Sequence, residues 1–159
     1  MGSWLTLQRT LIICGPASSG KSTLRHQLTR LVGDTVPTMG FDRCSAIYGH
    51  IALDVYDTGG VVEMIMVWEA LLPKADAVVF VLESLTPSAL NTLLEFEVHM
   101  PQSMPLLVFV NKQDRSLAPD PALLRARLLH LKRPWRVFGS CFLASEGIDP
   151  GMRWLVSVL

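Results

Sequence analysis

Leu11-Ile12-Ile13-Cys14 leads into Gly15-Pro16-Ala17-Ser18-Ser19-Gly20-Lys21-Ser22, and a segment with helical spacing follows. This order of strand, G-x-x-x-x-G-K-S loop and helix is typical of a site whose backbone N–H groups surround a phosphate chain. Glycine permits the close approach of the backbone, and the helix adds the positive end of its dipole. The stretch therefore predicts a binding site for nucleotide phosphates. The residues expected to contact the nucleotide here are Gly15, Ser18, Ser19, Gly20, Lys21, Ser22 and Thr23.

Two side chains of this loop are expected to act on the phosphates directly. Lys21 can reach the β- and γ-phosphate oxygens, and the Ser22 hydroxyl can bind Mg²⁺. The alternative is a Gly- and Ser-rich connector in an unrelated α/β domain. We favour the phosphate site, because the strand and the helix that the motif requires are both visible in the sequence.

The composition indicates one domain with a buried sheet. A chain of 159 residues can bury a proper core, and we assign residues 1–159 to one domain with a short N-terminal segment, 1–9. Lys and Arg number 14, as do Asp and Glu, so no net field favours nucleic acid or anionic lipid. Charged residues make up 18% and apolar residues 50%, which indicates a sheet buried on both faces, a surface covered by a partner, or both.

The cysteines and the N-terminus bear on the compartment. Cys14, Cys44 and Cys141 show no metal-ligand spacing, which is typical of a reducing environment. No apolar run is long enough to span a bilayer and no signal peptide is visible, so we expect a cytoplasmic protein. Gly2 and Thr6 match the permissive pattern for N-myristoylation, for which an initiator stub is the favoured alternative.

Strand and helix patterns alternate along the rest of the chain. Gly49-His50 separates two strand-like runs, which predicts an antiparallel hairpin. The pattern as a whole predicts a three-layer α/β fold of the P-loop NTPase type, with a mostly parallel six-stranded sheet and one antiparallel edge strand. The predicted strands are 11–14, 44–48, 51–56, 77–82, 105–110 and 135–142. The predicted helices are 23–31, 61–72 (ended by Pro73), 88–100, 120–129 and 151–159, the last capped by Asp149-Pro150.

A second motif, Asn111-Lys112-Gln113-Asp114, follows the apolar run 105–110 and predicts which base is bound. A carboxylate after a sheet strand can accept hydrogen bonds from N1–H and the exocyclic amine of guanine, and adenine lacks this donor pair. Leaving the Asp114 carboxylate partly unpaired costs several kcal/mol, on the scale of about 1–3 kcal/mol for each lost charged hydrogen bond. Lys112 can lay its stem over the base plane, and Asn111 can tie this loop to the phosphate loop.

With both motifs placed, the sequence resembles the Ras superfamily of small GTPases, and within it the Arf/Arf-like family. Pro37-Thr38-Met39-Gly40-Phe41 is similar to the switch I signature of that family, and Asp57-Thr58-Gly59-Gly60 follows at the family's spacing. The resemblance implies that Thr38 binds Mg²⁺ and senses the γ-phosphate, that Asp57 holds Mg²⁺ through water, and that the Gly60 N–H touches the γ-phosphate.

The site that the resemblance implies combines these residues with those of the two motifs. GTP or GDP and Mg²⁺ are the implied cofactors, and the base-edge loop of the family corresponds to Cys141-Phe142-Leu143. The implied metal ligands are Ser22, Thr38 and Asp57. The implied catalytic residues are Lys21, Thr38 and Gly60. The implied nucleotide contacts, beyond the phosphate loop, are Thr38, Gly60, Asn111, Lys112, Asp114, Cys141 and Phe142.

The resemblance also implies partners. Effector proteins would bind a patch formed by Phe41, Tyr56, Leu71 and the helix 61–72, and an exchange factor and a GTPase-activating protein are expected. The amphipathic N-terminal helix of the family has no clear counterpart in residues 1–9. We therefore expect a cytoplasmic protein whose association with intracellular membranes is weak or indirect, and no nucleic-acid partner.

Two departures from the family pattern bear on activity. Family members place a glutamine after the two glycines to orient the attacking water, and this chain has Val61 there, which predicts slow or partner-dependent GTP hydrolysis. Phe142 stands where its backbone N–H is expected to reach guanine O6, and its bulk leads us to expect a lowered nucleotide affinity. The leading hypothesis is a slow, Mg²⁺-dependent GTP-binding switch. The alternative is a non-hydrolysing interaction module that serves as a subunit of a larger assembly.

Overall fold

The computed structural model describes residues 6–29, 36–38, 41–59 and 65–159, and the side chains of these except 36–38, 41 and 65–67. Within these residues, seven strands form one sheet with α-helices packed on it. The strands are β1 (Leu7–Cys14), β2 (Val36–Thr38), β3 (Phe41–Tyr48), β4 (Ile51–Asp57), β5 (Ala77–Leu82), β6 (Leu106–Val110) and β7 (Trp135–Gly139). The helices are α1 (Lys21–Thr29), α2 (Ile65–Leu71), α3 (Pro87–His99), α4 (Pro121–Leu128) and α5 (Ile148–Ser157).

The sheet is mixed, with the order β2-β3-β4-β1-β5-β6-β7. Strands β4, β1, β5, β6 and β7 are parallel, whereas β3 pairs antiparallel with both β2 and β4. The central strands β5 and β6 are buried at every position, as continuous apolar runs in a parallel sheet require. The predicted α/β fold and its six strands are therefore confirmed, and the three-residue β2 extends the sheet beyond β3.

Helices cover both faces of the sheet and create two apolar cores. Leu24 and Leu28 of α1 join Met152 of α5 in the core on one face. Leu93 of α3 and Leu124 of α4 belong to the core on the other face. This arrangement is the predicted three-layer sandwich, in which the carboxyl ends of the parallel strands lie at one edge.

The structure corrects the start of β1 and the boundaries that were predicted near the C-terminus. Strand β1 begins at Leu7, because β4 offers it a partner from Ile51 onward, so residues 7–9 belong to the sheet and not to a separate segment. Strand β7 ends at Gly139, and 142–144 form a 3₁₀ turn. Helix α5 begins at Ile148, because Gly147 adopts a left-handed φ of 80° and ends the preceding turn. Asp149-Pro150 therefore lies in the first turn of α5 and does not cap it.

Helices α1 and α2 also differ from their predicted spans. Helix α1 begins at Lys21, two residues before the predicted start, and its predicted end, residues 30–31, lies outside the described residues. Helix α2 runs over Ile65–Leu71 and continues as a 3₁₀ turn, Leu72–Lys74, that contains Pro73. The predicted start of this helix at 61–64 lies outside the described residues. The predicted helices 88–100 and 120–129 agree with α3 and α4 to within one residue at each end, and the Thr86 and Asp120 side chains each accept a backbone N–H where these helices begin.

Candidate nucleotide-binding site

The loop after β1 has the backbone that the glycine positions predict. Gly15 has a φ of 142° and Gly20 a φ of 107°, in the region that favours glycine. A Cβ at Gly15 would lie 2.1 Å from the Val81 carbonyl oxygen, and one at Gly20 would lie 2.2 Å from the Asn111 side-chain nitrogen. Gly15 therefore fits the loop against β5, and Gly20 fits it against the loop after β6.

Lys21 is a buried cation of the phosphate loop. It is 5% exposed, and its Nζ donates a hydrogen bond to the Pro16 carbonyl oxygen at 2.6 Å. Burial lowers the pKa of the Lys21 ammonium below its ordinary value, and the negative charge of Asp57 opposes that shift. The charge of Lys21 is thus held at the N-terminus of α1, where the helix dipole also favours an anion.

The serines of the loop divide into exposed and buried ones. Ser18 and Ser22 are exposed and line the cavity, whereas Ser19 is fully buried. The Ser19 hydroxyl has no hydrogen-bond partner among the described residues. Ser19 is therefore a predicted nucleotide contact that the cavity, as this structure shows it, does not reach.

Asn111 joins the phosphate loop to the loops that follow β6 and β7. Its side-chain nitrogen donates to the Ser19 carbonyl oxygen at 3.0 Å, as the sequence predicted for a tie between the two motifs. Its Oδ1 accepts the Phe142 N–H at 3.0 Å and the Ser140 hydroxyl at 3.3 Å. Asn111 is 3% exposed, so these bonds are shielded from water and fix the relative positions of three loops.

The rest of the Asn111-Lys112-Gln113-Asp114 motif faces the cavity. Lys112 has a left-handed φ of 62°, and its Nζ donates to the Ser18 carbonyl oxygen at 2.6 Å and contacts Glu83. Arg115 also reaches Glu83, with 3.4 Å between Nη1 and Oε2. Asp114 is exposed and lines the cavity, and no hydrogen bond or ion pair of its carboxylate is found among the described residues. The Asp114 carboxylate is therefore available to a ligand.

Phe142 does not extend into the solvent space of the cavity as its bulk suggested. Its side chain is 1% exposed and packs edge-on against Phe109, with 5.3 Å between the ring centroids. The ring also lies beneath the phosphate loop, since a Cβ at Gly20 would be 3.3 Å from Phe142 Cδ2. The ring lies in the core because an apolar side chain gains more there than in the open cavity. The effect of Phe142 on nucleotide affinity stays a prediction. The Phe142 N–H, expected at guanine O6, donates to Asn111 in this structure.

The loop after β4 supplies the opposite end of the site. Asp57 is 4% exposed, and its Oδ1 accepts the Gly59 N–H at 3.2 Å. The Thr58 N–H and hydroxyl both donate to the Ile13 carbonyl oxygen, which fixes this loop to β1. Arg25 of α1 lies beside Asp57, with 3.7 Å between Nε and Oδ2.

One open cavity of about 560 Å³ connects the two motifs. It is lined by the predicted contacts Ser18, Gly20, Lys21, Ser22, Thr23, Asn111, Lys112, Asp114, Cys141 and Phe142, and by Ala17, Gly59, Arg115 and Leu143. Asp57 is not part of this lining. Gly60 and the side chain of Thr38 lie outside the described residues, so their predicted roles stay predictions.

The predicted effector patch is only partly described. Tyr56 is half-buried and packs against the core under α3 and α4, while the Phe41 side chain lies outside the described residues. Leu71 is a correction, because it is 8% exposed and belongs to the apolar core. Trp68 anchors the same helix through an edge-on contact with Phe96, with 4.5 Å between ring centroids. Leu71 therefore packs inward and contributes little to an exposed patch.

The sequence analysis missed Arg25, Ser140 and Glu83, which shape the site without belonging to its motifs. Arg25 lies four residues after Lys21, so a helix over this segment places both side chains on one face. That spacing indicates that Arg25 faces the site, but the Asp partners of Arg25 come from other elements and are placed only by the sheet.

In the described parts of the chain, no helix is both long and apolar enough to cross a membrane.

Comparisons with known proteins agree with this geometry. The family model described as "ADP-ribosylation factor family" matches residues 4–159. "ADP-ribosylation factor-like protein 1" of Saccharomyces cerevisiae is 31% identical over 161 residues, covering 94% of this chain and 86% of that protein. "ADP-ribosylation factor 1" of Brassica rapa is 30% identical over 158 residues, covering 94% and 87%.

A solved structure gives the same picture in three dimensions. The Arl6 BBS3 small GTPase from Trypanosoma brucei, determined with the bound nucleotide analogue GppNp, superimposes with a TM-score of 0.78 at 25% identity. The superposition covers 94% of this chain and 96% of that one. The likeness therefore extends over nearly the whole chain.

Proposed function

The chain belongs to the ADP-ribosylation factor family of small GTPases, and from this we propose that it is a Mg²⁺-dependent guanine-nucleotide switch with slow GTP hydrolysis. Members of this family bind GTP and GDP and hydrolyse GTP. The observation that supports the proposal most directly is the cavity of about 560 Å³ that Lys21 and Asp114 line together. One residue suits a phosphate, the other a guanine, and Asn111 holds the two loops in a fixed relation.

At the phosphate end, the chain offers backbone donors and one buried cation. The Pro16 carbonyl oxygen holds Lys21 Nζ at the mouth of the loop, so little side-chain entropy is lost when an anion binds. The lowered pKa of Lys21 reflects the cost of burying its charge, and a phosphate oxygen beside it would offset that cost. Lys21 would thereby orient the β- and γ-phosphates and stabilise charge that develops during hydrolysis.

Mg²⁺ is the metal that the family implies, and the donor atoms fit it. Ser22 exposes a hydroxyl at the start of α1, and Asp57 supplies a carboxylate at the end of β4, both of them hard oxygen donors. No group of three or more His, Cys, Asp or Glu residues in the described part of the chain could hold a metal ion. Ser22 and Asp57 alone therefore suit an ion that shares its ligands between a few protein oxygens and substrate phosphates. When bound, Mg²⁺ would neutralise phosphate charge, and Ser22, Asp57 and Thr38 would hold it.

At the base end, Asp114 would select guanine. Its carboxylate is exposed in the cavity and would accept the N1–H and the exocyclic amine of the base. Lys112 would cover the base plane, since its stem is fixed between Ser18 and Glu83. The Phe142 N–H would have to be shared between Asn111 and guanine O6.

Val61 supports the proposal of slow turnover. It stands where the family has a water-positioning glutamine, and an aliphatic side chain cannot orient a nucleophile. We expect Val61→Gln to raise the single-turnover rate of GTP hydrolysis by at least about tenfold, because one contact that orients the attacking water is restored. Val62→Gln is the matched control, and an equal effect of both variants would contradict the role of position 61.

The proposed switch would act through partners. GTP would order the switch segments, and Phe41, Tyr56 and the helix 61–72 would then contact effectors, with an exchange factor and a GTPase-activating protein setting the nucleotide state. We propose a cytoplasmic location with weak or indirect membrane contact, to which a modified Gly2 would add. The second candidate, a non-hydrolysing interaction module, is favoured by Val61, by Phe142 and by the apolar fraction of 50%. It predicts equal partner affinity in the GDP and GTP-analogue states.

The decisive test of nucleotide choice is Asp114→Asn. We expect the wild type to bind fluorescent GDP in competition with GTP but not ATP. The Asn amide would offer a donor where the carboxylate accepted one, so GDP affinity should fall by about a hundredfold or more. Xanthosine diphosphate, which has a carbonyl in place of the amine, should bind the variant better than the wild type.

Asp120→Asn is the matched control for this variant. Asp120 caps α4 through the Ala122 N–H and does not line the cavity, and Asn is an equally good cap. The control should therefore keep the nucleotide preference of the wild type. A wild-type protein that is folded yet indifferent to GDP and GTP would overturn the proposed function.

A further inference from the structure

Arg25 brings a buried positive charge to the edge of the proposed metal site. It lies on α1, one helical turn after Lys21, and is 7% exposed. Its Nη1 is 2.8 Å from Asp42 Oδ2, and its Nε is 3.7 Å from Asp57 Oδ2. Arg25 therefore bridges a strand-edge carboxylate and the carboxylate that we assign to Mg²⁺.

The register of the sheet explains why a cation is needed there. Asp42 on β3 and Asp57 on β4 are directly opposite each other in the antiparallel ladder. Like charges in such a cross-strand pair destabilise the sheet. The guanidinium of Arg25 reaches both carboxylates from α1, and so it compensates their mutual repulsion.

The contact between Arg25 and Asp57 is electrostatic and is not a hydrogen bond. The distance of 3.7 Å is too long for one, and Arg25 Nε has no hydrogen-bond partner in the described part of the chain. The Asp57 Oδ1 atom accepts the Gly59 N–H, which leaves Oδ2 without a hydrogen bond among the described residues. Asp57 is thus close to a fixed positive charge while one of its oxygens remains open to another ligand.

We propose that Arg25 is a resident counter-charge of Asp57 that weakens Mg²⁺ binding at the nucleotide site. The inference rests on the proposed function and adds a property that the motifs do not contain. A positive charge beside Asp57 opposes the approach of a divalent cation to that carboxylate. Arg25 is therefore a positioning residue for Asp57 and sets how strongly nucleotide binding depends on the metal.

A purely structural role of Arg25 makes a different prediction. If Arg25 only holds β3 in place, removing either member of the Arg25–Asp42 pair should loosen the same contact and change Mg²⁺ dependence in the same direction. If Arg25 acts on the metal by charge, the two changes have opposite signs. Loss of the cation should strengthen Mg²⁺ binding, and loss of the Asp42 carboxylate should weaken it.

The experiment uses the full chain loaded with fluorescent GDP and measures its dissociation rate across a Mg²⁺ titration that begins in EDTA. We expect Arg25→Met to lower the Mg²⁺ midpoint by about tenfold and Asp42→Asn to raise it by about threefold, the scale of one partly buried charge. Arg25→Lys, which keeps the charge, should return the midpoint to within about threefold of the wild type. Calorimetric titration of Mg²⁺ into the GDP-bound proteins should rank the Mg²⁺ affinities of the wild type and the variants in the same order, without a rate measurement.

Arg153→Met is the matched control, since Arg153 pairs with Asp149 on the exposed face of α5. It should leave the midpoint unchanged. A midpoint that Arg25→Met does not move, or that both variants move in one direction, overturns the inference while nucleotide binding stands. If Arg25→Met fails to fold, Asp42→Asn decides, because a midpoint that stays or falls overturns the inference. A wild type that binds no GDP with or without Mg²⁺ overturns the proposed function as well.

Discussion

The two ends of the proposed site are held together by different forces. The base end, which we define as Asn111–Asp114 with residues 140–143, is fixed mainly by uncharged hydrogen bonds to Asn111 and by the packing of Phe142 on Phe109, with one ion pair from Lys112 to Glu83 at its surface. The metal end, defined as Arg25, Asp42 and Asp57, is fixed mainly by ion pairs. The base end therefore resembles a core, whereas the metal end resembles an electrostatic contact that responds to ions.

This difference matches the task of each end. A guanine presents the same donors in GDP and GTP, so a rigid recognition loop loses nothing by being preformed. Under the proposed function the metal end would have to respond to a third phosphate and to Mg²⁺, and ion pairs of moderate strength can be exchanged for others at small cost. Four predictions test the comparison.

The largest effect is expected from Phe142→Ala at the base end. Removing this buried ring leaves a cavity against Phe109 and beneath Gly20, so the free energy of unfolding should fall by about 3–5 kcal/mol. Urea denaturation of the nucleotide-free protein measures it. Leu143→Ala, at the exposed neighbouring position, should change it by less than about 0.5 kcal/mol. A stable Phe142→Ala variant would show that the ring is not part of the core.

Asn111→Ala should have the next largest effect. The change leaves the Ser19 carbonyl oxygen and the Phe142 N–H buried without their partner, which should cost about 2–4 kcal/mol of unfolding free energy. Ser140→Ala removes a single bond at 3.3 Å and should cost about 1 kcal/mol. Neither of these losses in unfolding free energy should change between low and high salt, because no charged group is involved. A strong salt dependence would count against a neutral network.

Arg43→Met tests the ion pair next along β3 from the metal end. Arg43 forms two hydrogen bonds to Asp54, at 2.7 and 2.6 Å, and Asp54 is 8% exposed. Because Arg43 itself is about half exposed, we expect a loss of only about 1–2 kcal/mol at low salt. Unlike the effect of Asn111→Ala, this loss should shrink as NaCl is raised toward about 0.5 M. Equal losses at both salt concentrations would count against an electrostatic origin of the contacts along β3.

The sequence predicts the parts of the site that local patterns determine. Lys21 and Asp114 belong to motifs whose spacing follows from the ligand groups they would contact. The hydrogen bond from Asn111 to the phosphate loop was predicted from the same motif. The strands β5 and β6 were also predictable, since a continuous apolar run is the mark of a parallel strand. In each case the determining residues lie within a short stretch of chain.

Other features depend on contacts that a short stretch does not contain. The role of Arg25 needs Asp42 and Asp57 to be opposite each other, which only the register of β3 on β4 decides. The inward packing of Leu71 and of Phe142 depends on which face each element turns to the core. The start of α5 was mispredicted because Asp149-Pro150 has the pattern of a cap, whereas the left-handed Gly147 makes the actual boundary.

The smallest expected effect is a pH dependence of the unfolding free energy that comes from Cys44, next to the metal end. Cys44 lies on β3 and is 2% exposed, and burial raises the pKa of its thiol from 9.0 to about 11, with Arg25 opposing the shift. Because the folded pKa exceeds the unfolded one, the protonated thiol adds stability in full below about pH 9. That stability is lost as the pH rises through about 11. Replacing Cys44 by Ala should therefore make the fall in unfolding free energy between these pH values shallower.

The measurement is urea denaturation of the wild type and Cys44→Ala at a series of pH values. At pH 7.5 the variant should be less stable than the wild type, because it lacks the packing of one sulfur atom. This difference in unfolding free energy should become smaller as the pH rises. A difference that stays constant would show that the thiol does not titrate between these limits. Adding Arg25→Met removes a charge that favours the thiolate, so the narrowing should move to higher pH. A pH response of Cys44 that depends on Arg25 would mean that β3 and the metal end share one electrostatic environment.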